Sequence, residues 1–172
     1  MKLLKRLLLA ITLIVTATGT ASAQKGMSGI GVNLGFDYYI FESSLLNKWA
    51  IKYQYNFSNY YRIEPVISYS YTLVESDENL NPTSFEIGIN NHFFLTKVKR
   101  FRPYAIAGIG YMHLTCNDYG KLVELPTFYF CGGIGIDYRL SHKWSMQASL
   151  CYLGNFDSCA TIDFVLGIAY NF

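Results

Sequence analysis

Ile162-Asp163-Phe164-Val165-Leu166-Gly167-Ile168-Ala169-Tyr170-Asn171-Phe172 decides the fold. Ile162, Phe164, Leu166, Ile168, Tyr170 and Phe172 share one face of a strand. Asp163, Val165, Gly167, Ala169 and Asn171 share the other. Strand side chains alternate with period two, so one face is large and apolar while the other is small or polar. A strand of this pattern suits a sheet with hydrocarbon on one side and a narrow, polar interior on the other.

The same alternation recurs upstream. It predicts strands at 27–39, 48–57, 60–74, 83–95, 101–114, 127–139 and 143–153, each long enough to cross a bilayer at a tilt. In the second, Trp49, Ile51, Tyr53, Tyr55 and Phe57 point out, and Lys52, Gln54 and Asn56 point in. In the fourth, Phe85, Ile87, Ile89 and Phe93 point out, and Glu86, Gly88, Asn90 and His92 point in. The fifth is less clean, with apolar residues or Gly on both faces. Pro65 and Pro103 fall inside strands and cannot donate to a ladder, so a bulge or strand end is expected at each.

Beyond the first residues, the 172-residue chain holds no apolar run long enough for a membrane helix, yet 17% of it is aromatic. A membrane interior accepts only helices and closed barrels, because every backbone polar group must be paired. The pattern therefore predicts an all-β fold: an eight-stranded antiparallel up-and-down transmembrane β-barrel. The competing reading of the aromatics, a β-sandwich core, does not explain one-faced alternation in nearly every strand. Trp49, Tyr71, Phe85, Phe128 and Tyr152 fall near one rim. Phe57, Tyr61, Phe101, Tyr138, Trp144, Tyr170 and Phe172 fall near the other, as interfacial girdles do. Connections at 58–59, 96–100 and 140–142 are short; those at 40–47, 75–82, 115–126 and 154–159 are longer on average, which assigns the latter to the outside.

Residues 1–23 read as a cleaved signal peptide. Lys2, Lys5 and Arg6 precede a short apolar core, and Ala21-Ser22-Ala23 supplies the cleavage site. A single membrane anchor is the alternative. Residues 24–172 form one barrel domain. Three of the 14 basic residues lie in the leader, so 11 face 12 acidic residues in the remainder, a net charge of −1. That balance gives no reason to expect a nucleic-acid partner.

Further motifs carry a family resemblance. Phe101-Arg102-Pro103-Tyr104 is followed by Ala107-Gly108-Ile109-Gly110-Tyr111. Gly132-Gly133-Ile134-Gly135-Ile136-Asp137-Tyr138-Arg139-Leu140-Ser141 runs into Lys143-Trp144-Ser145. With the closing strand, these resemble the small OmpA-like, opacity-type outer-membrane barrels, a porin-family-like group. The resemblance implies an eight-stranded barrel in the outer membrane of a Gram-negative bacterium. It does not imply one activity, since relatives include adhesins and membrane-organising proteins.

The interior is expected to hold a polar network of Asp37, Lys52, Arg62, Glu64, Glu86, His92, Arg102, Asp137, Arg139 and Asp163. Arg62, Glu64, Arg102, Asp137 and Arg139 fall toward the periplasmic end, and Asp37, Lys52, Glu86 and Asp163 further out. A barrel of this size is filled by its own side chains. The network reads either as a self-satisfied plug or as a narrow, gated proton or ion path.

Catalytic, cofactor and metal roles are not indicated. A lipid-modifying site would need a nucleophile, a base and an acid near the outer rim. His92 lies toward the periplasmic half. His113 is followed by Leu114-Thr115 rather than by a His-x-Ser arrangement, and no spacing compels Thr115 or Glu124 to join it. The four cysteines lack close C-x-x-C pairing. Export favours disulfides. Cys131 and Cys151 lie ten residues either side of Ser141, which predicts that they face each other across a hairpin. Cys116 and Cys159 fall in outer loops and form the second predicted bridge. The alternative is that some thiols stay free.

The outer loops carry Glu42, Glu75, Asp77, Glu78, Asp118, Glu124 and Asp157; the inner turns carry Lys97, Lys99, Arg100 and Lys143. Both patterns are compatible with simple solubility. Read functionally, the expected partners are outer-membrane lipid and an extracellular ligand met by the loops, with the protein a monomer. The expected role is structural or surface-interacting, adhesin-like and non-enzymatic. A small low-conductance channel comes second and a lipid-modifying enzyme third.

Overall fold

The computed structural model describes residues 27–40, 44–72, 82–96, 100–118, 121–155 and 160–172. The predicted leader and its boundary at residue 23 lie outside them. Eight strands follow in order: β1 (Ser28–Tyr39), β2 (Ser44–Asn56), β3 (Tyr61–Thr72), β4 (Thr83–Phe94), β5 (Phe101–Asp118), β6 (Lys121–Arg139), β7 (Trp144–Asn155) and β8 (Ala160–Asn171). Each pairs antiparallel with its neighbours in sequence, and β1 pairs with β8, closing the barrel. Closure removes every sheet edge, as a bilayer demands.

The alternation decides which side meets lipid. Ile30, Val32, Leu34, Phe36 and Tyr38 of β1 are exposed on the outer wall, as are Ile162, Phe164, Leu166, Ile168 and Tyr170 of β8. Their neighbours in sequence fill the lumen. Aromatic contacts run across strands at the end that holds both termini: Phe57 to Tyr61 at 5.6 Å, Tyr61 to Phe93 at 5.4 Å, and Trp144 to Tyr170 at 5.2 Å. Such cross-strand ring pairs help pin register.

Three expectations are corrected. First, β2 begins at Ser44, so half of the predicted 40–47 loop is strand. Secondly, the predicted 115–126 loop is mostly strand. β5 and β6 run to Asp118 and from Lys121. β4 stops pairing with β5 at Thr115, and β7 reaches β6 only up to Tyr129. The tip of this hairpin is thus a two-stranded ribbon that continues beyond the pairing with its neighbours, so the extra length of this hairpin is strand rather than loop. Thirdly, Pro65 causes no bulge. The β2–β3 ladder lapses between Lys52↔Val66 and Tyr55↔Ile63 and resumes in the same register, because the missing N–H costs a rung but adds no residue. Pro103 causes no bulge either: it lies inside β5 opposite Ile136, just past the last β4–β5 pair, Phe94↔Tyr104, where its missing N–H costs that ladder no rung.

The lumen is two-sided. Tyr104, Ile106, Met112 and Leu114 of β5, Tyr129 and Cys131 of β6, and Cys151 and Leu153 of β7 pack with Tyr39, Leu46 and Phe94 into one apolar cluster. This explains why the fifth strand reads ambiguously: one apolar face meets lipid, the other meets this core. Glycine makes the large inward rings possible. A Cβ on Gly110 would lie 2.5 Å from the Tyr129 ring, and one on Gly88 would lie 2.4 Å from the Tyr129 hydroxyl.

Candidate functional site: the charged lumen

The charged half of the lumen is built in three tiers. In the tier nearest the ribbon end, Lys48 of β2 gathers three carboxylates from three other strands. Its Nζ lies 3.1 Å from Asp37 Oδ1, 2.9 Å from Glu86 Oε2 and 3.3 Å from Asp163 Oδ2. Ser70 donates to Asp37 Oδ2 at 2.6 Å, and Ser68 donates to Glu86 Oε2 at 2.9 Å. Asp37 and Asp163 stand directly opposite each other across the β1–β8 seam.

In the middle tier, Lys52 Nζ lies 3.6 Å from Glu64 Oε2 and donates to Gln147 Oε1. Gln54 also donates to Glu64 Oε2, at 2.9 Å. His92 Nε2 is 3.8 Å from Glu64 Oε1, and its ring stacks on Tyr104 at 4.5 Å and 9°. Lys52 reaches across because Gly31 and Gly167 present no side chains beneath it: a Cβ on either would come within 3.0–3.1 Å of its end.

In the tier nearest the turns, Asp137 Oδ2 accepts from Arg62 Nη2 and Arg102 Nη2, each at 2.7 Å. Both guanidinium groups lie over the Phe94 ring, at 4.9 and 4.2 Å. Arg139 faces the same mouth but is only half-buried. Between the upper tiers is a chamber of about 40 Å³, lined in part by Lys48, Glu86, Asp163, Glu64 and His92. That is room for a few water molecules.

All ten predicted interior residues thus face inward. Two features differ from expectation. Lys52 belongs to the middle tier with Glu64, not to the outer acids. The cation that serves those acids is Lys48, which sequence reasoning left out of the network. Its signal was present: Lys48 has the parity of Lys52, Gln54 and Asn56, but stood at the first position of a strand drawn too short. The apolar wall was the other omission.

The cysteine pairing needs correction too. Cys131 stands opposite Leu153, and Cys151 opposite Gly133, because the β6–β7 hairpin is centred one residue beyond Ser141. The two are diagonal neighbours, buried and present as free thiols. The Cys151 thiol leans over Gly133, where a Cβ would lie 2.7 Å from its Sγ. The Cys116–Cys159 bridge, and the loop acids Glu42, Glu75, Asp77, Glu78, Asp118 and Asp157, fall outside the described residues and side chains.

On the outer wall near the ribbon, His113 Nε2 lies 3.8 Å from Glu124 Oε2. Thr115 pairs in register with Glu124, so all three share one patch. The distance is too long for a hydrogen bond.

Comparison with known proteins fits this architecture. The model of the outer membrane protein beta-barrel domain matches residues 7–172. The chain belongs to this outer-membrane β-barrel family. It is therefore an outer-membrane protein, and its turn end faces the periplasm. A search of curated proteins finds no match. Among solved structures, this barrel is similar to Neisserial surface protein A (TM-score 0.69, 11% identity, 88% of this chain and 100% of that one). It is also similar to Ail, the attachment invasion locus protein of Yersinia pestis, in complex with the heparin analogue sucrose octasulfate (TM-score 0.66, 15% identity, 87% and 100%). The outer membrane enzyme PagL shares the architecture as well (TM-score 0.55, 14% identity, 82% and 97%). At these identities the likeness is one of fold.

Proposed function

We propose that this outer-membrane barrel acts without catalysis, as a structural and surface-interaction protein of adhesin-like character, and works as a monomer. The observation that carries this reading is the packed lumen. Three tiers of ion pairs on one side and an apolar core on the other leave a chamber of only about 40 Å³. The outward surface then remains as the working face, with the β5–β6 ribbon its most prominent part among the described residues.

The ligand chemistry follows from charge. Ail is solved with a polysulfated heparin analogue. The loop end here carries Glu42, Glu75, Asp77, Glu78, Asp118, Glu124 and Asp157 in sequence, with Lys121 among them. A surface so acidic repels a polyanion and favours a cationic partner. The test is adhesion of expressing cells to polylysine-coated and heparin-coated beads. Binding to polylysine, reduced when residues 116–123 are deleted, is the expected result. Preference for heparin, or binding indifferent to the deletion, would sink the proposal.

A small low-conductance channel is the second reading, favoured by the chamber and its charged lining. The lipid-modifying reading stands third. Its foothold is the His113–Glu124–Thr115 patch, whose histidine and carboxylate are too far apart to hydrogen-bond.

A further inference from the structure

The outer wall at the turn end carries two cations, each held over an aromatic ring. The Arg100 guanidinium lies 5.8 Å from the Tyr138 centroid, and Lys143 Nζ lies 6.0 Å from that of Tyr170. Trp144 packs edge-on against the same Tyr170. The backbone beneath is fixed: the Arg100 carbonyl accepts from Arg139 N at 2.8 Å, and the Lys143 carbonyl accepts from Asn171 N at 2.7 Å. Arg100 immediately precedes β5 and lies over a ring of β6, and Lys143 immediately precedes β7 and lies over a ring of β8, so both stand at one rim with β7 between the two rings. Tyr and Trp side chains settle where hydrocarbon gives way to headgroups. The rings therefore set the depth of the charges at the headgroup layer of the periplasmic leaflet. Among the described residues, the side-chain carboxylates nearest this end, Asp137 and, one tier higher, Glu64, are both buried in the lumen. Among the described residues, no side-chain acid shares the outer face with Arg100 and Lys143.

We propose that Arg100 and Lys143 form a basic rim that draws the headgroup phosphates of anionic glycerophospholipids in the periplasmic leaflet, one phosphate to each cation. The wall above them (Ile136, Met146 and Ile168) is apolar and exposed, so it offers the surface along which the acyl chains lie. An anionic lipid is selected over a zwitterionic one because the latter brings its own ammonium to the phosphate, while Arg100 and Lys143 repel it. Each basic residue at a membrane surface is worth about fivefold in anionic-lipid partition.

Trp144 is a built-in reporter. With Trp49→Phe, it is the one tryptophan left in the chain. The protein is refolded into phosphatidylcholine vesicles that contain an equal mole fraction of brominated phosphatidylglycerol or brominated phosphatidylcholine. Quenching of Trp144 should be at least about twofold stronger with the anionic lipid, and the preference should vanish in Arg100→Gln/Lys143→Gln. Only preparations whose unboiled gel band shifts are compared, so loss of folding is not mistaken for loss of the basic rim. Equal quenching by the two lipids overturns the proposal, as does a preference that survives the double substitution. A preference abolished by millimolar inorganic phosphate at constant ionic strength would show a free-anion site and overturn the lipid assignment.

Discussion

Lys48 shows how one side chain can organise four strands. It is buried, and it touches acids carried by β1, β4 and β8. Three carboxylates around one ammonium are stable only while that ammonium stays. Removing one partner of a buried ion pair costs about 3–5 kcal/mol, because the remaining charge is left uncompensated. Lys48→Met should therefore destabilise the barrel by about that amount, read as a lower urea midpoint of the gel-shifted form in detergent. A midpoint equal to wild type would mean that the acids are satisfied without it. Tyr129 makes the complementary point about space. It lies over Gly110 and Gly88, so Gly110→Val should cost about 1–3 kcal/mol through overpacking, measured the same way; an unchanged midpoint would show that the ring can move aside.

At the scale of elements, period-two alternation carried most of the information. Each strand was legible because lipid enforces a strict difference between its faces. β5 was harder to read since its inward Tyr104, Ile106, Met112 and Leu114 join an apolar core. A pattern detector tuned to polar lumens sees two apolar faces there. The β5–β6 ribbon was misread as loop because Leu122, Val123, Glu124, Leu125 and Pro126 no longer have to satisfy a bilayer, so the alternation fades while the pairing continues. The register of the cysteine pair was missed by one residue of turn geometry, which no side-chain pattern reports. Since the ribbon tip pairs with neither β4 nor β7, deleting residues 116–123 should leave the heat-shifted band intact and the urea midpoint nearly unchanged. A lost band would show that the ribbon is needed for the barrel to form.

For the whole molecule, the closed topology and the inward placement of the charged residues were legible in sequence; the partition of the lumen into charged and apolar halves was not, because it depends on which strands end up across from one another. That partition bears on conduction. Water and ions would have to thread between three ion-pair tiers and a wall of packed rings. Refolded protein in a planar bilayer is expected to be silent at neutral pH. Steady openings would favour the channel reading and direct attention to Glu64 and Arg102.

The seam between β1 and β8 sets Asp37 directly against Asp163. Lys48 and Asp37 already lie on one hairpin before the ring exists, whereas Asp163 arrives with the last strand. Two like charges meet at the joint, and Lys48 between them is what lets the joint shut. Assembly therefore has a latch: the last strand is held when it delivers its carboxylate to that lysine, and a sheet joined out of register leaves Asp163 away from Lys48.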